Sequence, residues 1–132
     1  MNNPMRSLAY VIVLAGLCAS AKTVHIEVLA TTDLHGNLLP YDYFTATEAG
    51  RGLATLGSYI RRERSRNPDL LLVDCGDTIQ GSALESEYQQ QFLKGKLPEP
   101  LRGGDPMMLA MNALGYDAMA VGKHDFNYGR RA

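Results

Sequence analysis

Three short apolar runs, each closing on a cluster of chemically active residues, constrain this chain more than any other feature. "TVHIEVLATTD", Thr23 to Asp33, is β-branched and mostly apolar, and it runs into Asp33-Leu34-His35-Gly36. Such a composition reads as a strand. "LLLVDCGD", Leu70 to Asp77, is a continuous apolar run ending in Asp74-Cys75-Gly76-Asp77, the pattern of a strand buried on both faces. "YDAMAVG" is the third run, followed by Lys123-His124-Asp125.

Helical signals fill the intervals. "GLATLGSYIRRERSR" places Leu53, Leu56 and Ile60 at helical spacing, and Asn67-Pro68-Asp69 stops it. "RRERSR", Arg61 to Arg66, reads as the solvated end of that helix. "SALESEYQQQFLKG" is a second helical stretch, and "KLPEPLRGG" a loop. A third helix is bounded by its own chemistry: Asp105 to cap, Pro106 in the first turn, Met107 to Leu114 as formers, Gly115 to end it. "HGNLLPYDYF" reads as a loop. Strand, helix, strand, helices, strand, with connections this long, predicts an α/β fold with a mainly parallel βαβαβ sheet and right-handed crossovers. In such a sheet the three polar clusters meet at the carboxyl ends of the strands, where ligands gather.

The residue types at that edge suit a metal. Asp33 and His35, two apart in an extended segment, point the same way and make half a site for Zn, Mn, Co or Fe. Asp77 offers a second carboxylate, whose two oxygens can bridge a pair of ions. Ions roughly 3.5–4 Å apart can clamp a phosphoryl group. His25 lies early in the first run, far from this edge, and reads as structural.

Other classes fall away. A net charge of -1 gives no electrostatic case for a nucleic-acid polymer as partner. A dinucleotide site needs a glycine-rich turn after the first strand, and "DLHGN" has one glycine. Residues 1–21 read as an export signal: Arg6, an apolar run from Leu8, and Ala19-Ser20-Ala21 as the cleavage site. That predicts a periplasmic or secreted protein with no stable membrane anchor after cleavage. Bulky Leu17 before Cys18 argues against lipidation. Loss of Cys18 leaves Cys75, which cannot form an internal disulfide and reads as a small packed apolar residue.

D-x-H, then G-D, then Gly122-Lys123-His124-Asp125 against a family G-N-H-[DE], resembles the ordered signature of the calcineurin-like metallophosphoesterases. "ATTDLHGNLLPYDYF", "VDCGDTIQGS" and "MNALGYDAMAVGKHDFNYG" are similar to their secreted nucleotidase branch. "LPYDYF", and Asn127 in "HDFNYG", favour the members acting on 2',3'-cyclic and 3'-nucleotides over the 5'-nucleotidases. The resemblance implies an αββα sandwich, a nucleotide or cyclic-nucleotide substrate and two divalent metal ions. It implies Asp33 and His35 on the first ion and Asp77 bridging both. His124 would stabilise phosphoryl charge or protonate the leaving oxygen, with Asp125 as a supporting partner.

Two departures stand out. Where the family has an asparagine ligand this chain has Lys123, whose ammonium donates three hydrogen bonds and accepts none. Replacement of an ion by that fixed charge and a decayed or misread position both remain open. The later histidines of the family are also missing among His25, His35 and His124. The expectation is therefore an N-terminal piece, residues 22–132, of an incomplete metallophosphoesterase domain, inactive by itself. A non-catalytic exported remnant is the alternative.

Overall fold

The computed structural model describes residues 22–99 and 102–129; the expected signal segment lies outside the described residues. β1 (Val28–Thr31), β4 (Leu71–Asp74) and β5 (Ala118–Met119) form one parallel sheet in the order β1-β4-β5. Val28 lies opposite Leu71 and Thr31 opposite Asp74; on the other side Asp74 lies opposite Met119. The strands connect through α1 (Leu53–Arg66), then α2 (Ala83–Leu93) and α3 (Pro106–Leu114). This is the expected α/β arrangement, a mainly parallel sheet flanked by helices.

The first and third strands are shorter than the apolar runs that announce them. Residues 22–27 precede β1, and Val24 and Ile26 are exposed there. His25 is exposed as well and lies outside the strand. The central strand is not buried on both faces. Leu72 and Asp74 are buried, but Leu71 is 43% exposed and its neighbour Val28 is 53% exposed. One face of the sheet is covered by the helices and the other is open among the described residues, so apolar residues alternate between core and surface.

The core lies on the covered face. Leu34, Leu53, Ile79, Met107 and Met111 are buried together, with Leu38, Leu114 and Met119 packed against them. Each such side chain contributes about 1.5–3 kcal/mol on burial. α3 begins and ends as its sequence dictates: Asp105 accepts hydrogen bonds from Met107 N (2.8 Å) and Met108 N (3.2 Å), and Gly115 closes it with φ 74°. Ser82 caps α2 by accepting from Glu85 N.

Three local expectations are corrected. The stretch after the first cluster is not all loop, because Tyr41–Asp42 (β2) and Thr47–Glu48 (β3) pair antiparallel. The turn is held by the Asp42 carboxylate, which accepts from Phe44 N and Thr45 N. The arginine run is not merely solvated: Arg64 donates to the carbonyls of Leu70 and Gly115 and to the Asp117 carboxylate. Cys75 is exposed instead of packed, since it sits past the strand end. Among the described residues no helix is long and apolar enough to cross a membrane.

Candidate metal centre at the sheet edge

β1 and β4 end side by side, and their loops stay zipped beyond the last ladder bonds. Asp33 N donates to Gly76 O (3.1 Å), His35 N to Asp77 O (3.1 Å) and Gly36 N to Thr78 O (2.7 Å). Within these loops Asp33 (φ 53°), His35 (φ 48°) and Asp77 (φ 57°) adopt left-handed backbone; the other described non-glycine residue with positive φ is Ala46. Such residues cost on the order of 1–3 kcal/mol each and cluster at functional sites. The extended geometry expected for Asp33 and His35 is therefore replaced by left-handed turns. Their side chains converge all the same: Asp33, His35 and Asp77 each offer a ligand atom within 4.8 Å of the others.

The donor set fits a cation. His35 Nδ1 lies 2.7 Å from the Gln80 carbonyl oxygen, which can only accept, so Nδ1 carries the proton. Nε2 is then the nitrogen left to face an ion, 3.6 Å from Asp33 Oδ1. That nitrogen of a neutral imidazole and the facing carboxylate oxygen can both bind one cation. Securing a ligating imidazole through its other nitrogen is a general feature of metal sites.

Asp125 holds this edge together. Its buried carboxylate accepts from Asp77 N (2.9 Å), Thr78 N (2.7 Å), Ile79 N (3.0 Å) and Gly122 N (2.9 Å). Burial by itself would raise its carboxyl, but the four backbone N–H groups outweigh that and hold it below the ordinary aspartate value. Asp77 Oδ1 in turn accepts from His124 N (2.8 Å), at the start of a 3-10 turn spanning His124–Phe126. Gly122 is required by close approach: a Cβ there would stand 2.2 Å from Asp77 Oδ1.

His124 sits against His35, ring centroids 5.4 Å apart and edge to face. Asn127 Nδ2 donates to Gln80 Oε1 (2.7 Å) and lies 3.0 Å from His124 Nδ1. Gln80 thus touches both histidines' surroundings, through its carbonyl to His35 and through its side chain and Asn127 to His124. Sequence reasoning missed Gln80, since nothing local in "DTIQGS" marks it. Lys123 is exposed immediately before the 3-10 turn. Asp74, in the same sequence cluster as Asp77, faces away from the ligand atoms in its bonding. It accepts from Gly76 N and the Thr31 and Thr78 hydroxyls, bracing the strand ends.

No protein-family model matches the chain. Individual proteins do. It is 44% identical over 112 residues to the trifunctional nucleotide phosphoesterase protein YfkN of Bacillus subtilis, covering 84% of this chain and 8% of that protein. It is 40% identical over 124 residues to the 2',3'-cyclic-nucleotide 2'-phosphodiesterase/3'-nucleotidase of Yersinia enterocolitica, covering 92% of this chain and 18% of that enzyme. The chain thus spans less than a fifth of the length of either relative. The crystal structure of the calcineurin-like phosphoesterase YfkN from Bacillus subtilis superposes with a TM-score of 0.67 at 42% identity, covering 82% of this chain and 32% of that one. With the parallel sheet and the converging Asp33, His35 and Asp77 already in place, these likenesses show that the chain belongs to the calcineurin-like metallophosphoesterases.

Proposed function

We propose that this chain carries one half of a two-metal phosphoesterase site, acting on 2',3'-cyclic nucleotides and 3'-nucleotides in an exported protein. The observation that supports it most directly is the meeting of Asp33, His35 and Asp77 on left-handed backbone. Bound divalent ions would supply Lewis acidity, activating water and drawing charge from the phosphoryl oxygens. Asp33 and His35 would hold one ion, and Asp77 would be shared with the second. Asp125 fixes the backbone from which Asp77 projects. With Asn127 donating to Nδ1, the His124 proton sits on Nε2, free to stabilise phosphoryl charge or to protonate the leaving oxygen. Lys123 brings no acceptor to the second ion, so that ion's remaining ligands come from elsewhere. The similarity to the Yersinia enzyme supports the cyclic and 3'-nucleotide reading over 5'-nucleotides.

A chimera tests this reading. Residues 22–129 replace the aligned segment of the Yersinia relative, and turnover of 2',3'-cyclic AMP, 3'-AMP and 5'-AMP is compared. Turnover of the first two, reduced at least about 100-fold by Asp77→Ala, is expected. A chimera that prefers 5'-AMP would overturn the substrate assignment. One whose activity survives Asp77→Ala would overturn the site.

A further inference from the structure

Glu85 is fully buried in the first turn of α2, and neither of its carboxyl oxygens meets a hydrogen-bond donor. It lies beside the Asp105 carboxylate that caps α3. We propose that Glu85 and Asp105 share one proton at neutral pH, and that this acid–carboxylate pair locks α2 to the start of α3 and to the turn after His35, opening when alkaline conditions remove the proton.

The two carboxyls have unequal surroundings. Asp105 accepts from Met107 N, Met108 N and Gln89 Nε2, and it sits at a helix N-terminus, which favours an anion. It is the natural carboxylate of the pair. Neither Glu85 oxygen is in hydrogen-bonding geometry with a donor, although Met107 N and Gln89 Nε2 lie near enough to lower its carboxyl somewhat against the larger effects of burial and Asp105, and no ion pair reaches either residue among the described residues. A buried carboxylate without donors or cation is strongly disfavoured, and two adjacent carboxyls do not both stay ionised. Gln89 Oε1 is buried without a donor as well, so the cluster holds more acceptors than hydrogens. A proton on Glu85, donated to Asp105, supplies one.

The pair also supports the turn that carries the candidate ligand. Gly36 rests on Glu85: a Cβ at position 36 would lie 2.5 Å from Glu85 Cγ and 2.6 Å from Ser82 Oγ. Among the described residues the titratable groups interacting with Glu85 are Asp105 from α3 and Tyr88 from α2; Gly36, packed against it, adds none. Burial first, and then the Asp105 charge, push the Glu85 carboxyl up to about 9. Burial and the same two carboxyls push the Tyr88 phenol up, so it supplies no compensating charge.

The sign of the pH effect follows. Glu85 binds its proton more tightly folded, at about 9, than at its ordinary 4.5. Its stabilising contribution is complete below the ordinary value, declines as pH rises between the two, and is gone above the folded one. The folding equilibrium constant falls by up to about tenfold per pH unit in that window.

Urea unfolding of the full chain at about pH 6 and about pH 8 reads this directly. The wild type loses roughly 100-fold more folding constant across that interval than Glu85→Gln, while Glu87→Gln, on the exposed side of α2, behaves as wild type. Equal pH dependence in wild type and Glu85→Gln overturns the proposal. Stabilisation of the wild type by calcium, lost in Glu85→Gln, overturns it too, in favour of a bound cation. Should Glu85→Gln fail to fold, the carboxyl carbon of Glu85, followed by NMR in the wild type, decides the same question. It keeps the acid form through neutral pH if the pair shares a proton, and titration in the ordinary glutamate range refutes the pair. Neither result bears on the phosphoesterase reading, because no metal or substrate enters the measurement.

Discussion

At the scale of single residues, the geometry of the candidate site depends on one carboxylate outside the Asp33, His35 and Asp77 cluster. Asp125 binds four backbone N–H groups drawn from two loops, so it fixes where Asp77 projects without offering it a charge partner. Asn cannot replace it: one of the two oxygens becomes an NH2 group that faces donors. Asp125→Asn is expected to lower the stability of the chain by about 2–4 kcal/mol, as unsatisfied buried N–H groups do. The pH dependence has a definite sign. A carboxyl held below its ordinary 3.8 stabilises the fold above that value and ceases to do so as pH falls through the depressed one. Chemical denaturation at about pH 6 and about pH 3 checks both points: the gap between wild type and Asp125→Asn narrows at the lower pH. An unchanged gap would show that the carboxylate charge is not what holds the loops. The D-x-H, G-D and H-D clusters are legible as residues because Asp, His and Gly in such groupings have few other uses. Their backbone is not. Left-handed φ at Asp33, His35 and Asp77 is imposed by pairing between two loops, Asp33 with Gly76 and His35 with Asp77, that lie far apart in sequence.

At the scale of elements, what the sequence announces well is local. Asp105, Pro106 and Gly115 mark the ends of α3 because caps act on the nearest turn. α1 runs Leu53–Arg66 as its apolar spacing requires, with Leu53 and Ile60 buried, although Leu56 is left at the surface. What escapes is tertiary. The β2–β3 hairpin has two residues per strand, too few for a period to appear. Arg64 looks in sequence like one more solvated arginine, yet it reaches from α1 to the backbone before β4 and to the approach of β5. Those carbonyls lie at chain reversals, where no helix or strand partner exists for them. Arg64→Ala is expected to destabilise the chain by about 1–2 kcal/mol through the two lost carbonyl hydrogen bonds. Arg64→Lys should recover little, since a single ammonium cannot span two carbonyls and the Asp117 carboxylate as a guanidinium does. Thermal unfolding of the two variants checks this. Full recovery by lysine would mean that only the charge matters.

At the scale of the whole molecule, the described residues leave one sheet face open and bring together one partial cluster of candidate ligands. Among the described residues Val28 and Leu71 are exposed on the open face. A single cluster of three side chains able to hold a metal ion is present among the described residues. Three ligands can hold one divalent ion with water completing its shell. They cannot hold two, and in-line displacement at phosphorus with paired ions needs both to share the charge of the attacking and leaving oxygens. The likenesses to YfkN and to the Yersinia enzyme each cover under a fifth of those proteins, so the activities in their names belong to much longer chains. The 132-residue chain by itself is therefore expected to bind no more than one zinc or manganese ion tightly. It is also expected to show no appreciable turnover of bis(p-nitrophenyl) phosphate or 3'-AMP. Calorimetric titration gives the stoichiometry, and His35→Ala should weaken the one ion by at least about tenfold, which is about 1.4 kcal/mol. Two tight ions per chain, or turnover abolished by Asp77→Ala, would mean that these residues suffice for catalysis. The second ion would then have to find its ligands among groups this fold already places near Asp77, His124 foremost among them.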